Sequence, residues 1–394
     1  MAEVTVLAAS GNQMVAEAYR QADPDVVAAY PITPQTTIVE AYAKFVADGR
    51  VHTELVTVES EHSSMSACIG ACAAGARTAT ATSSQGLAYM WEELHIAAGM
   101  RLPIVMANAN RALSAPINIH CDHSDVMGAR DTGWIIFFAE TAQEAYDNTV
   151  IAFKVAEDHD VQLPVMTTLD GFITTHAMER CELLDDETVK NFIGEHDALY
   201  PLLDSDHPVG HGMFPNVGDP YMKVKAGQRR AIDAATPHIK RIGDEWAKIC
   251  GRPFDLVDCW GMDDADYAIV VLGSCAGNAR HVARELRDKG IKAGVVRPRV
   301  FRPFPASDIV KALSGVKAAA VLDRSDSFGA EAGPLALEVR AALYDSDARP
   351  RIRNYIYGLG GADVTLDQMR EVYADLEKLA DGEAHPGLTY LGID

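Results

Sequence analysis

Three polar residues stand just beyond short apolar runs: Thr33 after "VVAAYPI", Glu61 after "ELVTVES" and Arg111 after "PIVMANAN". In an open α/β sheet, ligands bind outside the carboxyl ends of the strands, where such residues would converge. A hydroxyl can donate to a carbonyl, and a guanidinium can pair with a carboxylate in two parallel bonds. A carboxylate at a helix start can exchange a proton with a basic ring. The three together suit recognition of a small anion beside a basic heterocycle.

Each residue also has a purely structural reading. Thr33 precedes Pro34, the pairing expected of an N-cap and a first helical residue. In "AAYPITPQTT" both Tyr30 and Thr33 precede prolines, which disfavours the helical region for them. A capping hydroxyl that accepts from the backbone still has its own proton to donate outward, so cap and ligand contact are expected in one group. Glu61 would complement the dipole of the helix it opens. Glu59 and His62 flank it, so the local sequence does not choose the inward carboxylate. Arg111 alone could be a surface or salt-bridged arginine.

The elements that must position these residues alternate along the chain. Strands are expected at Val26–Tyr30, Glu54–Glu59, Thr78–Ser83, Pro103–Ala109, Trp134–Phe138 and Leu163–Thr168. Helices follow at about Pro34–Ala47, Glu61–Ala74, Leu87–Ala98 and Ala142–Glu157. Apolar strands alternating with helical periods predict a mostly parallel sheet covered on both faces. From about Thr175 to Asp264 the alternation fails, apart from one helical stretch near Gln228–Cys250. It resumes with strands at Tyr267–Leu272, Ala293–Arg297, Ala318–Asp323 and Arg351–Tyr357, and helices at Asn278–Lys289, Ala306–Leu313, Pro334–Leu343 and Leu366–Leu379. We therefore expect two α/β domains, 1–252 with a loop-rich arm at about 175–252, and 253–394.

A chain of 394 residues, 48% hydrophobic, has ample material for two cores. Its net charge of −21 argues against a nucleic-acid partner, which requires clustered Lys and Arg. No apolar run approaches a membrane span and no signal peptide opens the chain, so a cytoplasmic protein is expected. Seven scattered cysteines suit a reducing compartment, and Cys68 and Cys72 read as small buried hydrophobes. "HCDHSD" (His120–Asp125) is too tightly packed for a structural zinc site, so no metal is assigned. "VLGSCAGNA" and "GLGGAD" follow expected strands but lack the full dinucleotide fingerprint, leaving only a weak case for nucleotide binding.

"AAYPITPQTT", "VESEHSSMSACIGACAAGART", "TSSQGL" and "ANANRALS…CDHSDVMGARDTGW" together resemble the α subunits of thiamine-diphosphate-dependent 2-oxoacid:ferredoxin oxidoreductases, pyruvate:ferredoxin oxidoreductase above all. "VVRPRVFRPFP" and "VLDRSDSFGAEAGPLALEVRAALY" continue the match. The resemblance implies a pyrimidine-binding parallel-sheet domain followed by a transketolase C-terminal-like α/β domain. It implies CoA-dependent oxidative decarboxylation of pyruvate with electrons passed to ferredoxin. Other 2-oxoacids (2-oxoisovalerate, 2-oxoglutarate or oxalate) and a non-catalytic scaffold copy are the alternatives; Thr33 argues against oxalate. By resemblance Glu61 is the cofactor-activating glutamate, Pro31 lies along the aminopyrimidine, Thr33 bonds the 2-oxoacid and Arg111 pairs with its carboxylate. No Gly-Asp-Gly followed by Asn is present, so the diphosphate–Mg2+ half is expected on a β subunit. The [4Fe-4S] clusters are expected on a ferredoxin-like δ subunit, with a γ subunit completing the complex.

Overall fold

The computed structural model describes residues 3–212, 214–215, 217–383 and 387–393. Its first sheet has seven strands in the spatial order Val300–Arg302, Ile135–Ala139, Val165–Asp170, Val105–Asn110, Thr78–Thr82, Val26–Ala29 and Glu54–Thr57. All are parallel except Val300–Arg302, which pairs antiparallel with Ile135–Ala139. The central strands are buried throughout, the mark of a sheet covered on both faces. Each places its last residues at one common edge, where Thr33, Glu61, Arg111 and Asp170 emerge.

The second sheet runs Leu388–Tyr390, Arg351–Ile356, Ala318–Asp323, Tyr267–Val271, Ala293–Pro298 and Val257–Trp260. Only the last of these is antiparallel. The chain goes from Tyr267–Val271 to one side and then returns to the other with Ala318–Asp323. The topological switch point therefore lies between those two strands.

The expected elements of both halves recur with shifts of a few residues, but three differences have clear causes. The expected helix Leu87–Ala98 is two helices, Ser84–Tyr89 and Trp91–Gly99, meeting at Met90. A strand Val4–Ala9 and a helix Gly11–Ala22 precede the first expected strand. That strand pairs with Glu179–Leu184, far along the chain, so no local turn signal announces either. The region expected to be loop-rich contains that strand, a helix Asp186–Ile193 and a helix Asp219–Cys250 running through Pro237. Ala231, Ala235, Ile239, Ile242 and Trp246 form a buried stripe along the last of these, which anchors it to the first core.

Arginines of "VVRPRVFRPFP" join the two halves. Arg297 is buried and pairs with Glu144 at 2.7 Å and with Glu140 at 3.1 Å. Arg299 donates to Asn148 Oδ1 at 2.7 Å. Among the described residues no helix is long and apolar enough to cross a membrane.

Candidate active site

Thr33 is not the cap of its helix. The helix starts at Thr36, and Gln35 occupies the cap position without a side-chain capping bond. A turn intervenes, in which the Gln35 and Thr36 N–H groups both reach the Ile32 carbonyl, at 2.8 and 3.1 Å. Gln35 fixes that turn by donating to the Ala81 carbonyl at 2.7 Å, while Asn12 Nδ2 donates to the Pro34 carbonyl at 2.7 Å. The capping half of the expectation is thus overturned. Thr33 is exposed, and its hydroxyl has no partner among the described residues. Pro31 is exposed beside it.

Glu61 is the inward carboxylate. It is 8% exposed, whereas Glu59 is exposed and accepts from the Ser63 hydroxyl. Ser60 caps this helix by accepting the Ser63 N–H, which fixes Glu61 at the first helical position. Gly86 presses on its side chain: a Cβ there would come within 2.8 Å of Glu61 Oε1 and 2.5 Å of Thr82 Oγ1. Among the described residues the Glu61 carboxylate has no hydrogen-bond or ion-pair partner. The residue is buried, yet its carboxylate oxygens are not among the enclosed unpartnered atoms, so they are open to a ligand.

Arg111 is 7% exposed, and among the described residues no carboxylate pairs with its guanidinium. Two carbonyls hold it instead: Asn118 O accepts from Nε at 2.9 Å and Thr33 O from Nη1 at 3.0 Å. Burial lowers its pKa, against the pull of nearby Asp125. A cation desolvated and oriented by neutral groups is suited to take an external anion. The structure thus brings Thr33 and Arg111 into contact.

Asp125 ties this pair to the Glu61 side. Its carboxylate accepts the N–H groups of Ser84 and Arg111 at 3.0 and 3.1 Å, and the amides of Asn108 and Asn110 at 3.1 and 3.0 Å. Burial nevertheless raises its pKa. Ser84, opening the helix that carries Gly86, is held at φ 49°, in the left-handed region. Sequence reasoning assigned no role to Asp125, Ser84 or Gly86. The alternating Asn108 and Asn110, which share a strand face, were the available signal of a buried acceptor.

His123 and Cys121, of the tight "HCDHSD" run, belong to a second arrangement. His123 Nε2 lies 2.7 Å from Asp170 Oδ1, and Arg324 Nη1 lies 3.2 Å from Asp170 Oδ2. Ser274 N–H and Oγ reach the same Oδ2, at 3.0 and 2.6 Å. Ser274 and Arg324 leave the strands that flank the second sheet's switch point, so that position receives a carboxylate of the first half. The weak expectation of nucleotide binding at "VLGSCAGNA" gains no support. The ligating atoms of Cys121, His123 and Asp170 lie within 4.8 Å of one another. The Arg324 cation, 3.2 Å from Asp170 Oδ2, disfavours a metal there.

A family model for the thiamine-diphosphate-binding region of pyruvate flavodoxin/ferredoxin oxidoreductases matches residues 17–244. A second, for core domain II of pyruvate:ferredoxin oxidoreductase, matches residues 265–369. The chain belongs to this family. It is 50% identical over 385 residues to pyruvate synthase subunit PorA of Thermotoga maritima, covering 97% of this chain and 98% of that one. It is 43% identical over 373 residues to ketoisovalerate oxidoreductase subunit VorA of Pyrococcus abyssi, covering 94% and 93%. In fold it is similar to the 2-oxoglutarate:ferredoxin oxidoreductase of Magnetococcus marinus, with a TM-score of 0.71 at 20% identity. That match covers 94% of this chain and 65% of the longer one. A split-gene transketolase matches with a TM-score of 0.56 at 14% identity, covering 94% and 97%. The family's fold, a pyrimidine-binding-type sheet followed by a transketolase C-terminal-like unit, is the one described above.

Proposed function

We propose that this chain is the α subunit of a multisubunit pyruvate:ferredoxin oxidoreductase, cleaving pyruvate to an acetyl group for CoA and CO2 while reducing ferredoxin. The observation that carries the substrate class is Arg111, a buried guanidinium with no counter-ion among the described residues, oriented by the carbonyl of Thr33. Similarity to pyruvate synthase subunits selects pyruvate over the branched-chain acids named for the VorA relatives.

The donor set fits thiamine diphosphate on this structure. Glu61 is buried without a partner among the described residues, and the bare Gly86 backbone leaves its carboxylate room to face a ring nitrogen. When bound, that cofactor supplies a carbon nucleophile and an electron sink for decarboxylation. Glu61 would face a ring nitrogen of the aminopyrimidine and hold or release a proton there, and Pro31 would lie along that ring. Arg111 pairs with the substrate carboxylate, and the exposed Thr33 hydroxyl donates to its 2-oxo group.

Residues 1–252 would form the pyrimidine-binding domain and 253–394 the second domain. A β subunit would supply the diphosphate–Mg2+ half, with γ and δ subunits and their [4Fe-4S] clusters carrying electrons to ferredoxin. The exposed Thr33 and Pro31 suit a site closed by another chain. The described cysteines are all free thiols, which supports a reducing cytoplasm.

The test is CoA-dependent reduction of ferredoxin by the anaerobically assembled complex, with pyruvate, 2-oxoisovalerate and 2-oxoglutarate. Pyruvate should give the highest kcat/KM, and Arg111→Ala should raise its KM about a hundredfold. Preference for 2-oxoisovalerate would shift the assignment to the branched-chain acids, and an unaltered KM would remove Arg111 from substrate binding.

A further inference from the structure

Arg111 is held in part by a loop that has little packing of its own. From Ser114 to His120 every residue except Asn118 is exposed, Ile117 to 78%. Such a stretch keeps one shape only if hydrogen bonds fix it. Gln85 Nε2 reaches Ser114 Oγ at 2.9 Å and Ala112 N–H the His120 carbonyl at 3.0 Å, and Asn118 adds three bonds in three directions. Its carbonyl accepts from Arg111 Nε at 2.9 Å, its Oδ1 takes the His120 N–H at 2.8 Å, and its Nδ2 donates to the Gly360 carbonyl at 2.9 Å. One residue therefore touches the guanidinium with its backbone and the second sheet's edge with its side chain.

The turn it meets is the "GLGG" of Gly358–Gly361, which follows the strand Arg351–Ile356. Close approach is built into that turn. Gly360 has φ 59° and Gly361 φ 80°, conformations that favour glycine. A Cβ on Gly360 would come within 2.4 Å of Asn118 Nδ2, and one on Gly361 within 2.3 Å of His120 Cβ. Two more bonds lock the same surfaces: Gly361 N–H to the Cys121 carbonyl at 2.7 Å and Gly360 N–H to Asp122 Oδ2 at 3.2 Å. The glycines that lack a dinucleotide fingerprint thus serve as a seat for the Arg111 loop.

We propose that Asn118 is a positioning residue through which the Gly360–Gly361 turn sets the pose of the Arg111 guanidinium. The second half of the chain then determines how tightly the site holds a substrate carboxylate, through a turn that acts on Arg111 by way of Asn118. This rests on the reading of Arg111 as the substrate anchor. A guanidinium free to swing by an ångström loses the paired geometry that makes it selective for a carboxylate.

Steady-state kinetics of the assembled complex test this with Arg111→Ala, Asn118→Ala, the double variant and Gly360→Ala. Asn118→Ala should raise KM for the 2-oxoacid about tenfold, the value of one positioning hydrogen bond, leaving kcat and the KM for CoA within about twofold. In the Arg111→Ala background it should add nothing, because its effect passes through that side chain. Gly360→Ala should repeat the KM effect; if it fails to assemble, Asn118→Ala and the double variant decide alone. Full additivity in the double variant, or a fall in kcat with KM unchanged, overturns the inference. A raised KM in Arg111→Ala with none in Asn118→Ala removes only the positioning role. An unchanged KM in Arg111→Ala removes the anchor itself, and the positioning role with it.

Discussion

Glu61 and Asp170 stand at strand exits of the same sheet, and both are more than nine-tenths buried. Asp170 accepts from His123, Arg324 and Ser274, and so has its partners within the chain. Burial alone would raise its pKa, yet the His123 and Arg324 charges and the Ser274 hydroxyl carry it well below the carboxylate range. Glu61 has Gly86 against it and no partner among the described residues. One sheet edge thus holds an acid satisfied by its own chain and an acid left open to a ligand. Burial does not separate a structural acid from a functional one, but the presence of a partner does.

If that contrast is right, removing each acid should fail differently. Glu61→Gln should cost about a thousandfold or more in kcat, the upper range for an acid–base group, while thermal and urea denaturation of the complex stay near wild type. Comparable loss of stability would erase the distinction. Asp170→Ala should do the reverse, lowering stability by about 3–5 kcal/mol because His123 and Arg324 are left buried without their acceptor. Urea denaturation measures that loss, and an unchanged midpoint would show the cluster contributes nothing.

The smallest effect is in acid. A carboxylate with a depressed folded pKa contributes stability that is fully present above its unfolded value near 4. That contribution is lost as pH falls through the lower folded value. Stability of the wild type to denaturation should therefore fall steeply below about pH 4, and Asp170→Asn should show a shallower dependence in the same range. Parallel curves would assign the acid sensitivity to other carboxylates.

The sheet order was largely legible because apolar runs and helical periods are local signals. Helices Glu61–Ala74 and Ala142–Glu157 were readable to the residue, since Ser60 and Thr141 cap them and short polar signals mark their ends. What stayed hidden depends on distant partners. The strand Val4–Ala9 is specified by Glu179–Leu184, and the role of Asp125 by two asparagines on a neighbouring strand. Thr33 misled for a related reason: the Thr-Pro pair looks like a cap, but Gln35 reaches across to Ala81 and delays the helix. The candidate site was legible as residue types, and its connection through Asn118 to the second sheet was not.

The strand Val300–Arg302 comes from the second half of the chain yet completes the first sheet against Ile135–Ala139, with Phe138 N–H bonded to the Arg299 carbonyl at 2.8 Å. It shields what would otherwise be a wholly apolar open edge containing Phe137 and Phe138, both fully buried in the intact chain. A fragment ending at residue 252 would present that edge as a template for pairing with other copies. The boundary between the halves is therefore not a place where the protein can be cut, and a nascent chain must wait for its last third before its first sheet is safe from self-association.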